Sequence, residues 1–106
     1  MRRRPDPRNT PTLDERTAAQ LAGLFSALSD PSRVQILWVL LSGEHNVGEL
    51  AQRVGMTESA VSHHLRQLRL MRLVRARKEG RVVFYAIDDK HVMDFFQRGL
   101  DHVRHG

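Results

Sequence analysis

The chain of 106 residues is 41% hydrophobic and 27% charged, contains no cysteine, and has a formal net charge of +5. This length holds one domain with one core, and the lack of cysteine excludes disulfides, thiolate metal sites and cysteine nucleophiles. The excess of basic over acidic residues favours an anionic partner, and nucleic acid is the first candidate. No apolar run reaches the ~20 residues of a membrane span, and the arginine-rich start lacks the apolar core of a secretory signal, so we expect a cytoplasmic protein without a membrane partner.

Residues 1–12 contain three prolines, four arginines and one hydrophobic residue, a composition typical of a disordered basic arm. The folded domain is therefore predicted to span residues 13–106. Helical spacing of apolar residues begins near Leu13 and gives the first helix one apolar face. Asp30 and Pro31 interrupt this pattern, with proline suited to the first turn of a second helix. The second helix is apolar almost all round, so we expect it to be buried.

A short helix, a turn and a longer helix are predicted in the middle of the chain. The first covers Val47–Val54, the turn contains Gly55, and Thr57 is a suitable N-cap for a helix over Glu58–Leu70. Apolar residues at helical spacing give this longer helix an inward face. They are Val61, Leu65 and Leu68. A short helix followed by a glycine-containing turn and a second helix is the signature of a helix-turn-helix.

β-branched and aromatic residues then predict two strands, over residues 73–78 and 81–87, joined by a turn at Glu79 and Gly80. A hairpin that follows a helix-turn-helix is a wing. A last helix is expected to begin at about Asp89 and to carry apolar residues along one side. The predicted fold class is therefore mainly α with a β-hairpin wing, a winged helix-turn-helix.

Two groups of polar residues are candidates for contacts with DNA. On the longer helix, small hydroxyls, an imidazole and an arginine lie opposite the apolar face and suit base edges and phosphates of a major groove. A second, basic group on the hairpin suits phosphates or an adjacent minor groove. The alternative for each group is an ordinary solvated surface. The candidates are Thr57, Ser59, Ser62, His63 and Arg66 on the helix, and Arg75, Arg77, Lys78 and Arg81 on the wing.

Metal-ligating residues occur near the end of the chain as Asp89-x-His91 and His102-x-x-His105. His91 and His102 are eleven residues apart on one helix, or roughly 16 Å along its axis. Ligands must converge to about 2 Å from one ion, so a single helix cannot close this site. Two antiparallel copies in a homodimer can, with Asp89 and His91 from one chain and His102 and His105 from the other. The alternatives are solvated histidines and an N-cap role for Asp89.

The chain resembles the ArsR/SmtB family of winged-helix metal-sensing repressors over about residues 15–106. The resemblance rests on residues 27–33 (ALSDPSR), 49–51 (ELA), 59–65 (SAVSHHL) and 73–74 (LV) with the following hairpin. The spacing of the aspartate and the three histidines is similar to the C-terminal-helix site of the zinc- and cobalt-responsive branch. The resemblance implies a homodimer built on the first and last helices, bound to operator DNA without metal and released by metal. Soft-metal members carry cysteines where this chain has Asn46 and Gly48, so a soft-metal site there is excluded.

Three imidazoles and one carboxylate suit zinc(II) in a tetrahedral shell, with cobalt(II) acceptable, whereas nickel(II) prefers a larger shell that Asp94 or the terminal amine would have to complete. The predicted function is a repressor whose apo dimer binds operator DNA and whose metal-bound form releases it, which derepresses metal efflux or resistance genes. Alternatives are a nickel or cobalt sensor, a winged-helix regulator of a non-metal signal, and a DNA-binding protein without sequence preference. Four protein ligands leave no open coordination position, so neither an enzyme nor a small-molecule substrate is expected.

Overall fold

The computed structural model describes residues 3–106, so Met1 and Arg2 of the predicted arm lie outside the described residues. Five helices and three strands follow one another in this part of the chain. They are α1 (Glu15–Ala27), α2 (Pro31–Leu40), β1 (His45–Asn46), α3 (Val47–Val54), α4 (Glu58–Leu70), β2 (Val74–Glu79), β3 (Val82–Ile87) and α5 (Lys90–His105). The order confirms the predicted fold class, mainly α with a hairpin wing. No helix within residues 3–106 is long and apolar enough to cross a membrane.

Residues 3–14 form neither a helix nor a strand. A local turn forms at Asp6, whose carboxylate accepts hydrogen bonds from Nε of Arg8 at 3.2 Å and from its backbone N–H at 2.9 Å. The bonds from Arg8 hold the pKa of Asp6 below its usual value. α1 begins directly after Asp14, whose carboxylate accepts a hydrogen bond from the backbone N–H of Thr17 at 3.0 Å. The first helix therefore starts at Glu15, and both the domain boundary at residue 13 and the disorder of the arm stay predictions.

The second helix supplies the centre of the core. Asp30 caps its N-terminus by accepting from the backbone N–H of Ser32 at 2.7 Å, and Pro31 occupies the first turn. Its buried side chains pack with residues of α3, α4, β2 and β3. The fully buried large side chains are Ile36, Leu37, Leu50, Val61, Leu65, Leu68 and Val74. The predicted burial is confirmed for one side of α2 only, because Trp38 is 43% exposed and stacks on Phe96 of α5 at 6.1 Å between ring centroids.

The sheet has three strands in the order β1-β3-β2, all antiparallel. β1 was not predicted, because it is only two residues long and pairs through His45 with Tyr85 and through Asn46 with Phe84. In the hairpin, Arg77 lies opposite Phe84 and Lys78 opposite Val83. Since successive side chains alternate between the faces of a strand, Arg77 and Lys78 point to opposite sides of the wing.

One apolar surface remains uncovered between the first and last helices. Phe25 of α1 stacks on Phe95 of α5 at 6.0 Å, yet both rings are about half exposed. α5 has no buried residue, and its Val103 is 80% exposed. An apolar depression of about 430 Å³ lies along the same helix. It is lined by Leu28, Val34, Phe95, Phe96, Gly99, Leu100 and Val103. An apolar area of this kind on a small domain marks an interaction surface.

Candidate nucleic-acid interface and metal centre

The helix-turn-helix is held by caps at both of its helices. The Asn46 side chain accepts from the backbone N–H of Glu49 at 2.8 Å, and the Glu49 carboxylate accepts from the backbone N–H of Asn46 at 2.9 Å. This reciprocal pair fixes the start of α3. α3 ends at Gly55, whose φ of 70° is a left-handed conformation that glycine adopts without steric cost. Thr57 then caps α4, its Oγ1 accepting from the backbone N–H of Ala60 at 3.1 Å.

The outer side of α4 is free for a ligand. Val61, Leu65 and Leu68 are fully buried, as predicted, and they orient the helix. The polar candidates lie on its other sides, and all are exposed except Ser62, which is half-buried. Apart from the capping hydroxyl of Thr57, none of their side chains forms a hydrogen bond or an ion pair within residues 3–106. These candidates are Thr57, Ser59, Ser62, His63 and Arg66. The geometry leaves them available to a groove of DNA.

His64 is tied to another helix instead. Nε of Arg33, in α2, donates a hydrogen bond to Nδ1 of His64 at 3.1 Å, and both residues are half-buried. This contact engages His64 with α2, whereas its neighbour His63 is exposed. Arg33 itself was missed, because its partner lies 31 residues away and no local pattern joins the two.

The four basic wing residues fall into two pairs. Arg77 donates from Nε and from its terminal nitrogen to the two carboxylate oxygens of Glu44, at 3.0 and 2.9 Å, and from its other terminal nitrogen to Glu79 at 2.7 Å. Arg75 donates to the backbone carbonyl of Asp88 at 3.0 Å. Lys78 and Arg81 form no such bonds within the described part of the chain. A phosphate would therefore meet two free cations on the wing and two that are already engaged.

The bonds of Arg77 change the ionisation of both partners. The hydrogen bonds from Arg77 hold the pKa of Glu44 below its usual value. The hydrogen bonds to Glu44, and then to Glu79, raise the pKa of Arg77 still further above its usual range. Both groups stay charged at neutral pH, so the pair is an ion pair. Glu44 was not singled out from the sequence, since it lies 33 residues before Arg77.

The first half of the predicted metal centre lies at the start of α5. Asp89 is the N-cap of α5, with Oδ1 accepting from the backbone N–H of Val92 at 3.1 Å. This is the helix-cap role that the sequence offers as an alternative to metal ligation. The same oxygen is 3.7 Å from Nδ1 of His91, whose side chain is 97% exposed. Oδ2 of Asp89 accepts no hydrogen bond within residues 3–106. The Asp89 carboxylate and the His91 imidazole are thus adjacent, and both side chains are exposed.

The second half lies in the last turns of the same helix. His102 and His105 line one surface depression of about 390 Å³ together with Arg98 and Asp101. Asp101 was missed in the sequence, although its position four residues before His105 places both on one helical face. Among residues 3–106 of a single chain, no three histidine, aspartate or glutamate side chains converge on a point that could hold a metal ion. The two halves do not meet within one chain.

The chain is similar to known regulatory proteins over most of its length. The family described as "Bacterial regulatory protein, arsR family" matches residues 30–76, from the N-cap of α2 into β2. The transcriptional repressor SmtB homolog of Synechocystis sp. is 46% identical over 93 residues, which cover 88% of this chain and 69% of that protein. The transcriptional regulator NmtR of Mycobacterium tuberculosis is 42% identical over 100 residues, which cover 92% of this chain and 83% of NmtR. This chain belongs to the arsR family of bacterial regulatory proteins.

The membership confirms the resemblance predicted from the sequence, and a solved structure extends the agreement to the backbone. The homodimeric winged helix-turn-helix DNA-binding domain Mb0332 of Mycobacterium bovis matches with a TM-score of 0.79 and 31% identity, over 90% of each chain. Since the arsR-family match ends at Ala76, it covers the helix-turn-helix but not α5. The metal-ligating residues of α5 therefore remain predictions of this chain's own sequence.

Proposed function

We propose that this arsR-family chain is a metal-responsive transcriptional repressor, whose homodimer binds operator DNA in the apo state and releases it when metal binds between the two α5 helices. The observation that carries the proposal is the placement of two incomplete ligand pairs at opposite ends of one helix. Asp89 and His91 stand at its start, His102 and His105 at its end, and all four are exposed. The two pairs cannot meet within one chain. In a two-fold dimer, antiparallel α5 helices would bring one pair from each chain together.

The uncovered apolar surface supports an antiparallel pairing of α5 with its copy. The stripe that contains Phe95 and Gly99 lies between the two ligand pairs along the helix and continues to Val103, next to His102. Packing this stripe against its copy about a two-fold axis would bring the start of each α5 to the end of the other. The rise of 1.5 Å per residue puts His91 and His102 of one chain roughly 16 Å apart, so each of two equivalent sites would take one pair from each chain.

The chemistry of the four side chains fits zinc(II) or cobalt(II). Three imidazole nitrogens and one carboxylate oxygen complete a tetrahedral shell, and the cap leaves Oδ2 of Asp89 free to be the oxygen ligand. A bound ion would cross-link the two α5 helices and so favour one dimer geometry over the other. Nickel(II) is the alternative, since Asp101 adds a donor beside His102 and His105 that suits a larger shell.

The DNA contacts are assigned to α4 and the tip of the wing. Ser59, Ser62, His63 and Arg66 would face the major groove, and the Thr57 hydroxyl would lie at the entry of the helix into that groove. On the wing, Lys78 and Arg81 would meet phosphates, because their charges are not engaged by other side chains. Metal binding at α5 would be coupled to this surface if the apo dimer and the metal-bound dimer differ in their affinity for DNA.

The test is fluorescence anisotropy of the apo protein on its own upstream DNA, titrated with zinc at one salt concentration. We expect release at one zinc per chain, and no release for His91→Ala or His105→Ala. His45→Ala is the matched control, since His45 lies in β1 outside the proposed site. Sequence-specific binding that ignores zinc, cobalt and nickel would reject the metal response and leave a regulator of another signal. Equal affinity for upstream and random duplexes would reject the repressor itself.

A further inference from the structure

The side chain of Arg77 crosses the outer face of the three-stranded sheet. It starts from the edge strand β2, passes over the ring of Phe84 in the central strand β3 at 5.1 Å from the ring centroid, and ends on Glu44, next to β1 on the far side. Glu44 immediately precedes the two-residue strand β1. We call this contact the Arg77–Glu44 bridge. It joins the wing to the connection between α2 and α3.

The bridge is a bidentate ion pair whose two side chains are partly exposed. Two of the guanidinium nitrogens of Arg77 contact both oxygens of Glu44, and the third contacts Glu79. Such a bidentate arrangement has directional specificity that a single contact lacks. One cation and two carboxylates leave the group with a net negative charge, which is unfavourable for a direct contact with phosphate.

Buried Val74, Ala86 and Ile87 anchor the base of the hairpin in the core, whereas its outer part has few contacts at the β1 edge. β1 contributes only two residue pairs to β3, whereas β2 and β3 pair along six. The position of the outer part of the wing relative to the helix-turn-helix therefore depends on a short strand and on the bridge beside it. The two free cations, Lys78 and Arg81, lie near the hairpin tip, where a small change of angle displaces them most.

We infer that Arg77 and Glu44 are positioning residues that set the wing against the helix-turn-helix, and that Arg77 is not a phosphate contact. The inference rests on the proposed DNA binding and refines the set of wing residues that carry it. It makes Glu44, an acidic residue near a DNA-binding surface, a residue that supports DNA binding. A direct phosphate role for Arg77 predicts the reverse, since removal of Glu44 would then free the arginine and strengthen binding.

The experiment measures affinity for the upstream duplex and its salt dependence in the full chain. We expect Arg77→Ala and Glu44→Ala each to weaken binding about threefold to fivefold, the range of an exposed ion pair, with the double variant no weaker than either one. The slope of log affinity against log salt should stay at the wild-type value in all three. Lys78→Ala is the matched control at the neighbouring position. The magnitude of its salt slope should fall by about 1, the amount expected for one lost phosphate contact. Arg77→Lys should behave as Arg77→Ala, because lysine keeps the charge but not the bidentate contact.

Three results would overturn the inference: stronger or unchanged binding in Glu44→Ala, a reduced salt slope in Arg77→Ala, or full affinity in Arg77→Lys. Amide hydrogen exchange of β1 and its partner residues in β3 gives a readout that does not require DNA. Exchange should be about threefold to fivefold faster in Glu44→Ala and Arg77→Ala and unchanged in Lys78→Ala. If the wild-type protein has no preference for its upstream DNA, the proposed function fails, and unaltered exchange in the two variants would separately reject the bridge.

Discussion

Arg33 and His64 are joined by a hydrogen bond of 3.1 Å in which Nε of the arginine donates to Nδ1 of the imidazole. Because a guanidinium can only donate, Nδ1 of His64 must carry its lone pair, and the neutral ring holds its proton on Nε2. The bond connects α2, at the centre of the core, to α4. It therefore helps to fix the orientation of the helix that is proposed to enter the groove.

Loss of this bond should destabilise the fold. We expect Arg33→Ala to lower the free energy of unfolding by about 1 kcal/mol, the usual net value of a partly buried hydrogen bond, with the denaturant slope unchanged. Urea titration of the dimer at one protein concentration measures this. Arg53→Ala is the control, since the exposed Arg53 of α3 forms no side-chain bond within residues 3–106. Equal midpoints for the two variants would mean that the bond contributes nothing to stability.

Arg72, at the end of α4, occupies a left-handed conformation with φ of 59°. It follows the helix at the position where glycine is most common, and the backbone N–H of Leu73 closes the turn on the carbonyl of Leu68 at 2.9 Å. The left-handed conformation costs a residue with a Cβ roughly 1 kcal/mol or more. Arg72→Gly should therefore raise the free energy of unfolding by about 0.5–1 kcal/mol, measured by urea titration.

The control for that substitution lies three residues earlier on the same surface. Arg69 is exposed and helical, so Arg69→Gly should lower the free energy of unfolding by about 1 kcal/mol. Opposite signs for two arginine-to-glycine changes on one turn would establish that backbone conformation, and not the loss of charge, determines the result. The same sign for both would refute the prediction.

The stability of the fold should fall in acid partly through Glu44. Hydrogen bonds from Arg77 keep the pKa of Glu44 in the folded protein below its ordinary value of 4.5. A group whose pKa is lower in the folded state stabilises the fold above its unfolded pKa and loses that contribution as pH falls through the folded pKa. The difference in unfolding midpoint between wild type and Glu44→Gln should therefore be constant near neutral pH and shrink below about pH 4.5. A difference that is unchanged at pH 3 would exclude this ion pair as its source.

Local patterns in the sequence predicted the helix-turn-helix because each of its features depends on neighbours along the chain. Thr57 caps the residues directly after it, and the spacing of Val61, Leu65 and Leu68 sets the buried side of α4. The wing cations were predicted as one cluster, whereas the structure engages two of them. Arg77 contacts Glu44, which lies 33 residues earlier in the chain, and no periodic pattern in the sequence indicates such a contact.

The proposed metal centre could be predicted only in part from local sequence patterns. Asp89 fits two roles in the sequence, a helix cap and a ligand. In the structure Oδ1 forms the cap, and Oδ2 accepts no hydrogen bond within residues 3–106. Asp101 is absent from the predicted ligand set of Asp89 and three histidines, yet it lies beside His102 and His105. The proposed site takes its ligands from two chains, so within one chain they are separated by the length of α5.

The two roles of Asp89 can be separated by a pair of substitutions. Asparagine caps a helix about as well as aspartate, so Asp89→Asn should change the free energy of unfolding by no more than a few tenths of a kcal/mol, whereas Asp89→Ala should cost about 1 kcal/mol. Both variants lack the carboxylate oxygen, so both should bind zinc at least roughly tenfold more weakly, since carboxylate is the one anionic ligand in the proposed shell.

Thermal unfolding of the apo dimer and zinc titration against a competing chelator measure the two effects independently. Asp88→Asn is the matched control, because Asp88 precedes the cap and its side chain forms no hydrogen bond within the described residues. Full zinc affinity in Asp89→Asn would remove Asp89 from the shell and leave it a helix cap only. An equal loss of stability in Asp89→Asn and Asp89→Ala would show instead that the cap requires the charge of the carboxylate, through its interaction with the N-terminus of α5.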